Sequence, residues 1–137
     1  MKKKQLGIRN EIEGCRTVVK ENVIQQKSYA LALRIVKLYR WLCEEKKEFT
    51  LSKQILRCAT SVGANVEEGI GAQSEKDFHL KMTIAYKESR EIHYWLRLLH
   101  DSDYIDDDTF SSLLADCDEL IRILSSITKT MKTKLKI

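Results

Sequence analysis

Leu51-Ser-Lys-Gln-Ile-Leu-Arg-Cys-Ala-Thr-Ser-Val-Gly-Ala-Asn-Val-Glu-Glu-Gly-Ile-Gly71 is the stretch that decides how this chain folds. Leu51, Ile55, Cys58, Ala59, Val62 and Val66 recur at helical spacing and form an apolar stripe. Gln54, Arg57, Ser61, Asn65 and Glu68 recur at the same spacing beside it. At about 100° per residue these five polar residues fall within a narrow arc. An ordinary surface helix scatters its polar residues widely. A narrow polar seam flanked by small Ala59, Ser61, Gly63 and Ala64 points to close packing or a contact surface. Ser52 is expected to cap the helix near Leu51, and Gly69 and Gly71 to stop it, because glycine is favoured just past helix ends. Gly69-Ile-Gly71 follows a helix and lacks the glycine spacing of a phosphate-binding loop, so its expected role is structural.

Three further helices follow from the same reasoning. The first is expected to begin between Asn22 and Ser28, with Asn22 and Gln25 resembling a capping box, and to continue to about Lys47. It carries two apolar seams, Tyr29, Ala32, Val36, Tyr39 and Cys43 beside Leu31, Ile35, Leu38 and Leu42. One partner helix needs only a narrow seam, so the second implies a deeper core or a contact between subunits. The third helix starts after Ser74 and buries Phe78, Met82, Ala85, Ser89, Ile92, Leu96 and Leu99. The fourth starts in Asp106-Asp-Asp108, where acidic groups complement the positive helix end. Its seam is Phe110, Leu113, Cys117, Leu120, Leu124, Ile127 and Met131, and lysines complement its negative end. Connections near 48–50, 69–73 and 102–105 are short, which makes neighbouring helices antiparallel. The expected fold is all-α, an up-down-up-down four-helix bundle over 22–137. Residues 1–21 are read as a basic extension, loosely ordered or with a short helix.

Composition agrees. The chain has 137 residues, 43% of them hydrophobic, and no proline to break long helices. No run approaches the roughly 20 apolar residues that cross a bilayer, and Met1-Lys-Lys-Lys-Gln-Leu is not followed by a signal-peptide core. A cytoplasmic location and no membrane partner are expected. Cys15, Cys43, Cys58 and Cys117 are far apart, without a Cys-x-x-Cys pair, and read as reduced thiols rather than a metal or disulfide framework.

A catalytic reading finds little support. A di-iron bundle needs two Glu-x-x-His pairs, whereas the three histidines are His79, His93 and His100, and Glu91 lies only two residues before His93. Ser61 and Ser89 lie inside helices without a sharp elbow. Glu67 and Glu68 are adjacent and diverge by about 100°. No enzyme, cofactor or metal is expected. The polar stripe reads first as a buried network, with Gln54, Ser61 and Asn65 bonded to neighbouring helices and Arg57 paired with Glu68 or Glu91. The other reading is an exposed surface lining an oligomer.

Charge allows nucleic acid without requiring it, with 24 Lys plus Arg against 20 Asp plus Glu and a net +4. The candidate contacts are Arg34, Lys37 and Arg40 on the first helix, Arg57 on the second, Lys81, Lys87, Arg90 and Arg97 on the third, and Lys129 and Lys132 among the C-terminal lysines. Trp41 and Tyr86 are the candidate stacking residues. Without a base-reading motif, binding to RNA or DNA would act through phosphates.

Several blocks occur in a recognisable order: Asn22-Val-Ile, Lys27-Ser-Tyr-Ala-Leu-Ala, Leu51-Ser-Lys-Gln-Ile-Leu-Arg, Thr60-Ser-Val-Gly-Ala-Asn, Glu67-Glu-Gly, Ser74-Glu-Lys-Asp-Phe and Lys87-Glu-Ser-Arg-Glu-Ile-His-Tyr-Trp-Leu-Arg-Leu-Leu. From Asn22 to Lys132 the chain resembles the bacterial four-helix bundle proteins first noticed in intervening sequences of large-subunit ribosomal RNA genes. The resemblance implies a homopentamer. The fold is also similar to the accessory variability determinant of diversity-generating retroelements, which implies a basic pentamer that binds nucleic acid and a reverse transcriptase. Five copies of this chain would carry five times +4, or +20. The leading expectation is a non-enzymatic oligomeric accessory protein that binds nucleic acid electrostatically. The alternative is an oligomeric protein–protein scaffold without nucleic acid.

Overall fold

In the computed structural model the described residues are 15–137, with side chains considered from Val23 onward. They form four helices: α1 (Cys15–Glu45), α2 (Leu51–Ile70), α3 (Glu75–Asp101) and α4 (Asp107–Leu135). Each helix packs on the next, and α4 closes back on α1. The pairs α1/α3 and α2/α4 lie on the diagonals, which is the arrangement of an up-down-up-down bundle. Among the described residues there are no strands. No described helix is long and apolar enough to cross a membrane.

Local chemistry sets most boundaries. Ser74 accepts the Asp77 backbone N–H at 3.1 Å and starts α3. Asp106 accepts the Thr109 N–H at 2.8 Å and starts α4. Two expectations need correction. Helix α1 runs through Asn22, so that residue is not its cap; residues 15–21 of the expected extension belong to α1, and 1–14 lie outside the described residues. Ser52 lies inside α2, fully buried. The capping is done by Glu48, whose carboxylate accepts N–H groups from Thr50, Leu51 and Ser52. Burial by itself would push the Glu48 carboxyl up, but the three backbone N–H groups outweigh it and hold the group below the usual carboxylate range.

Every residue of the expected α3 seam is buried, as is every residue of the α4 seam except Phe110, which packs against the core. Each large apolar side chain contributes about 1.5–3 kcal/mol when removed from water. In α1 Ile24 and the Leu31, Ile35, Leu38 and Leu42 seam enter this core. The Tyr29, Ala32, Val36, Tyr39 and Cys43 seam stays at the surface, with Tyr29 64% exposed. Gly69 stands in the last turn of α2 rather than beyond it: a Cβ there would come within 2.5 Å of the Met82 methyl and 3.2 Å of the Lys81 Cβ. The glycine lets α2 and α3 approach closely.

Candidate nucleic-acid interface

The outer face of α3 carries cations in one line. Lys76, Lys87, Arg90 and Arg97 are all exposed and fall, with Leu80 and Tyr94, within about 100° of arc at helical spacing. From Lys76 to Arg97 the line runs roughly 32 Å at about 1.5 Å per residue. Leu80 and Tyr94, 54% and 48% exposed, interleave with the charges. The Arg97 guanidinium lies 5.9 Å from the centre of the Tyr94 ring, a cation–π distance. No ion pair among the described residues engages these four cations. Two carboxylates lie closest: Asp101, one turn beyond Arg97 at the end of the line, contacts His100 at 3.1 Å, and Glu91 at its edge is held by Arg57 at 3.1 Å.

The ten cations expected as contacts thus separate. Lys87, Arg90 and Arg97 share the α3 line. Lys129 and Lys132 are exposed near the end of α4, which lies beside the start of α3, where Lys134 pairs with Glu75. Lys37 and Arg40 are exposed on α1, diagonally opposite α3, and do not extend the line. Three others are engaged inside the molecule. Arg34 contacts Asp116 at 2.6 Å and Ser112 Oγ at 2.8 Å. Lys81 pairs with Glu68 at 2.9 Å, and this hydrogen bond raises its pKa. Arg57 is bound to Glu88 and Glu91. Among the expected stacking residues, Trp41 is 40% exposed, whereas Tyr86 packs half-buried on the core. Tyr94 was missed, although its spacing from Lys87, Arg90 and Arg97 carries the signal.

The polar stripe of α2 is a half-exposed network at the α2/α3 border. Arg57 reaches Glu88 Oε2 at 3.1 Å and Glu91 Oε1 at 3.1 Å, and its Nη2 lies 3.3 Å from Cys58 Sγ. Glu91 was an expected partner, Glu88 was not, and Glu68 turns to Lys81 instead. Asn65 donates to the Ser61 carbonyl and hydroxyl, and Gln54 accepts from Arg57, so both bond within α2 rather than across it. Of Gln54, Ser61 and Asn65, Ser61 alone reaches over, supporting Glu88. Burial and the neighbouring Glu91 push the Glu88 carboxyl up against the pull of Arg57.

Cys58, Glu88 and Glu91 place three possible metal-ligand atoms within 4.8 Å of one another, a grouping that sequence spacing did not reveal. The Arg57 guanidinium touches all three and already supplies the positive charge there. Burial, followed by Glu91, pushes the Cys58 thiol up to about 12 and keeps it protonated at neutral pH. Burial does the same to Cys117, also pushed up to about 12. Neither thiol is poised as a nucleophile.

The surface seam of α1 meets α2 at a groove of about 260 Å³ walled by Tyr29, Ala32, Thr60, Gly63 and Ala64. A Cβ on Gly63 would touch nothing within 4 Å.

A family model described as 23S rRNA-intervening sequence protein matches residues 20–126. The chain is also similar to the crystal structure of a protein of unknown function from the S23 ribosomal protein family of Bacteroides thetaiotaomicron VPI-5482, with 48% identity and a TM-score of 0.78 over 80% of this chain and 98% of that one. No curated protein matches.

Proposed function

The chain belongs to the 23S rRNA-intervening sequence protein family, and we propose that it is a non-enzymatic oligomeric accessory protein that binds nucleic acid through phosphate contacts. The observation that carries this reading is the line of Lys76, Lys87, Arg90 and Arg97 on α3, none of them in an ion pair among the described residues, with Tyr94 beside Arg97. Four cations spread along roughly 32 Å can reach several phosphates of a nucleic-acid backbone, a span too long for one small anion. Nothing in the line provides bidentate base readout, so discrimination would be by shape and charge. Assembly through the Tyr29–Cys43 seam and the Gly63 groove, in the ring of five that the resemblance implies, would repeat the line on one particle. The presentation of RNA to a reverse transcriptase is the finer form of the same role.

The test is binding of a structured RNA across a salt series, with the mass in solution measured alongside. Four phosphate contacts predict a slope of log affinity against log salt of about −3 to −4. The combined substitution Lys87→Glu, Arg90→Glu and Arg97→Glu should abolish binding while helicity and assembly persist. Unchanged affinity would leave the protein–protein scaffold, the reading that exposed Tyr29, Leu33, Trp41 and Phe49 favour.

A further inference from the structure

The α1/α4 seam is the sparsest of the four helix contacts. At its end, beside the 102–106 connection, it leaves a cavity of about 810 Å³. Sites for small organic molecules span about 300–1,000 Å³. Lys37 and Trp41 of α1 form one wall, Lys46 follows at the rim, and Asp103 and Tyr104 face them from the connection.

The chemistry of these groups is specific. Trp41 presents a large ring that is 40% exposed, with Lys46 Nζ 5.3 Å from its centre. Lys37 is exposed and enters no ion pair among the described residues. Arg34 also lines the space, fixed by Asp116 and Ser112. On the opposite side the carboxylates differ. Asp106 accepts the Thr109 N–H, and Asp107 holds His100 Nε2 at 2.7 Å. Asp103 sits in the left-handed region at φ 67° and makes no side-chain hydrogen bond or ion pair among the described residues, so its carboxylate can accept from a ligand. The His100 ring, stacked on Phe110 at 4.1 Å, stiffens this side.

We propose that this cavity binds a single nucleotide, with the base against Trp41, the phosphate on Lys37 and Lys46, and an exocyclic amine or ribose hydroxyl donating to Asp103. An inorganic anion would leave Trp41 and Asp103 unused. A purely apolar molecule would strand the charged groups that ring the space. The site is separate from the α3 line and does not depend on that line binding nucleic acid.

The two tryptophans are Trp41 and Trp95, so Trp95→Phe leaves Trp41 as the sole reporter in the full-length chain. Titration with adenosine or cytidine monophosphate should quench its fluorescence saturably, and ribose 5-phosphate should not. Lys37→Ala should weaken binding about tenfold, as loss of one charge-assisted contact does. Trp41→Leu, followed by calorimetry in the otherwise natural chain, should weaken it by a similar factor and avoids any folding defect from Trp95→Phe. A single-stranded oligonucleotide that displaces the monophosphate would identify a strand as the source of the nucleotide; failure to displace it would identify the free molecule. The triple α3 reversal should leave nucleotide quenching intact even where RNA binding is lost. No saturation by about 10 mM nucleotide, an equal response to ribose 5-phosphate, or indifference to Lys37→Ala would each overturn the proposal.

Discussion

The Glu48 carboxylate accepts the Ser52 backbone N–H at 2.7 Å, and the Ser52 hydroxyl donates back to the Glu48 carbonyl at 2.8 Å. The pair closes the turn between α1 and α2 in both directions, with Lys47 in the left-handed region at φ 53° just before it.

Replacing Glu48 with Gln should therefore loosen the start of α2, at a cost of about 1–2 kcal/mol at neutral pH. The folded carboxyl lies below its ordinary value, so its contribution is present above the unfolded pKa and is lost as pH falls through the depressed folded one. Urea unfolding of both proteins at neutral pH and in strong acid checks this. The gap between them should close in acid, and a gap independent of pH would show that charge is not what Glu48 provides.

Glu88 should behave in the opposite sense. Its folded carboxyl lies above the ordinary range because of burial and then Glu91. Ionised Glu88 therefore opposes folding at neutral pH, and the opposition is relieved as pH falls through the raised value. Glu88→Gln should leave neutral-pH stability unchanged or raise it by up to about 1 kcal/mol, and it should remove the gain the natural chain shows in mild acid. A loss of neutral-pH stability would mean the Arg57 ion pair outweighs desolvation.

The two glycines of α2 should separate under the same substitution. Gly63→Ala meets open space and should add about 0.5–1 kcal/mol through helix propensity. Gly69→Ala must displace the Met82 methyl and press on Lys81, and should cost about 1 kcal/mol net of that gain. Thermal melts of the two variants decide it. Gly63→Leu should in addition lower the mass in solution if the Tyr29/Ala32 groove holds subunits together, without loss of helicity.

His100 should titrate above the ordinary histidine range. Its hydrogen bond to Asp107 is the main cause, opposed by some burial and reinforced by Asp101. The stabilisation from its charged form is fully present below the unfolded pKa and is lost as pH rises through the raised folded one. Following the ring protons by NMR in the natural chain and in Asp107→Asn checks this. The variant should shift the midpoint downward, and an unmoved midpoint would remove Asp107 from the account.

Much of this fold was legible because amphipathic periodicity is a local signal. The Phe78-to-Leu99 seam and the Leu113-to-Met131 seam are buried as their spacing requires, and Ser74 and Asp106 cap α3 and α4 through bonds that reach only three residues. The failures were also local signals, overridden from outside. Asn22 resembles a cap, but a helix that is already running passes through it. Ser52 resembles a cap, but the Glu48 carboxylate takes the N–H groups of Thr50, Leu51 and Ser52 from the turn, starts the helix earlier and leaves Ser52 inside.

By itself the sequence determined four helices, their order, their core faces and their membership of one bundle, since hydrophobic spacing and short connections act within each segment and between neighbours. Only the tertiary structure decided which of the two α1 seams faces inward, because both have the same period and burial depends on where α2 and α4 lie. It also decided that Arg57 meets Glu88 and Glu91 while Glu68 meets Lys81, since all are helix-spaced and the choice rests on the register of α2 against α3. The cavity between Lys37, Trp41 and Asp103 was invisible for the same reason: its walls are more than sixty residues apart in sequence, and only the closing of α4 against α1 brings them together.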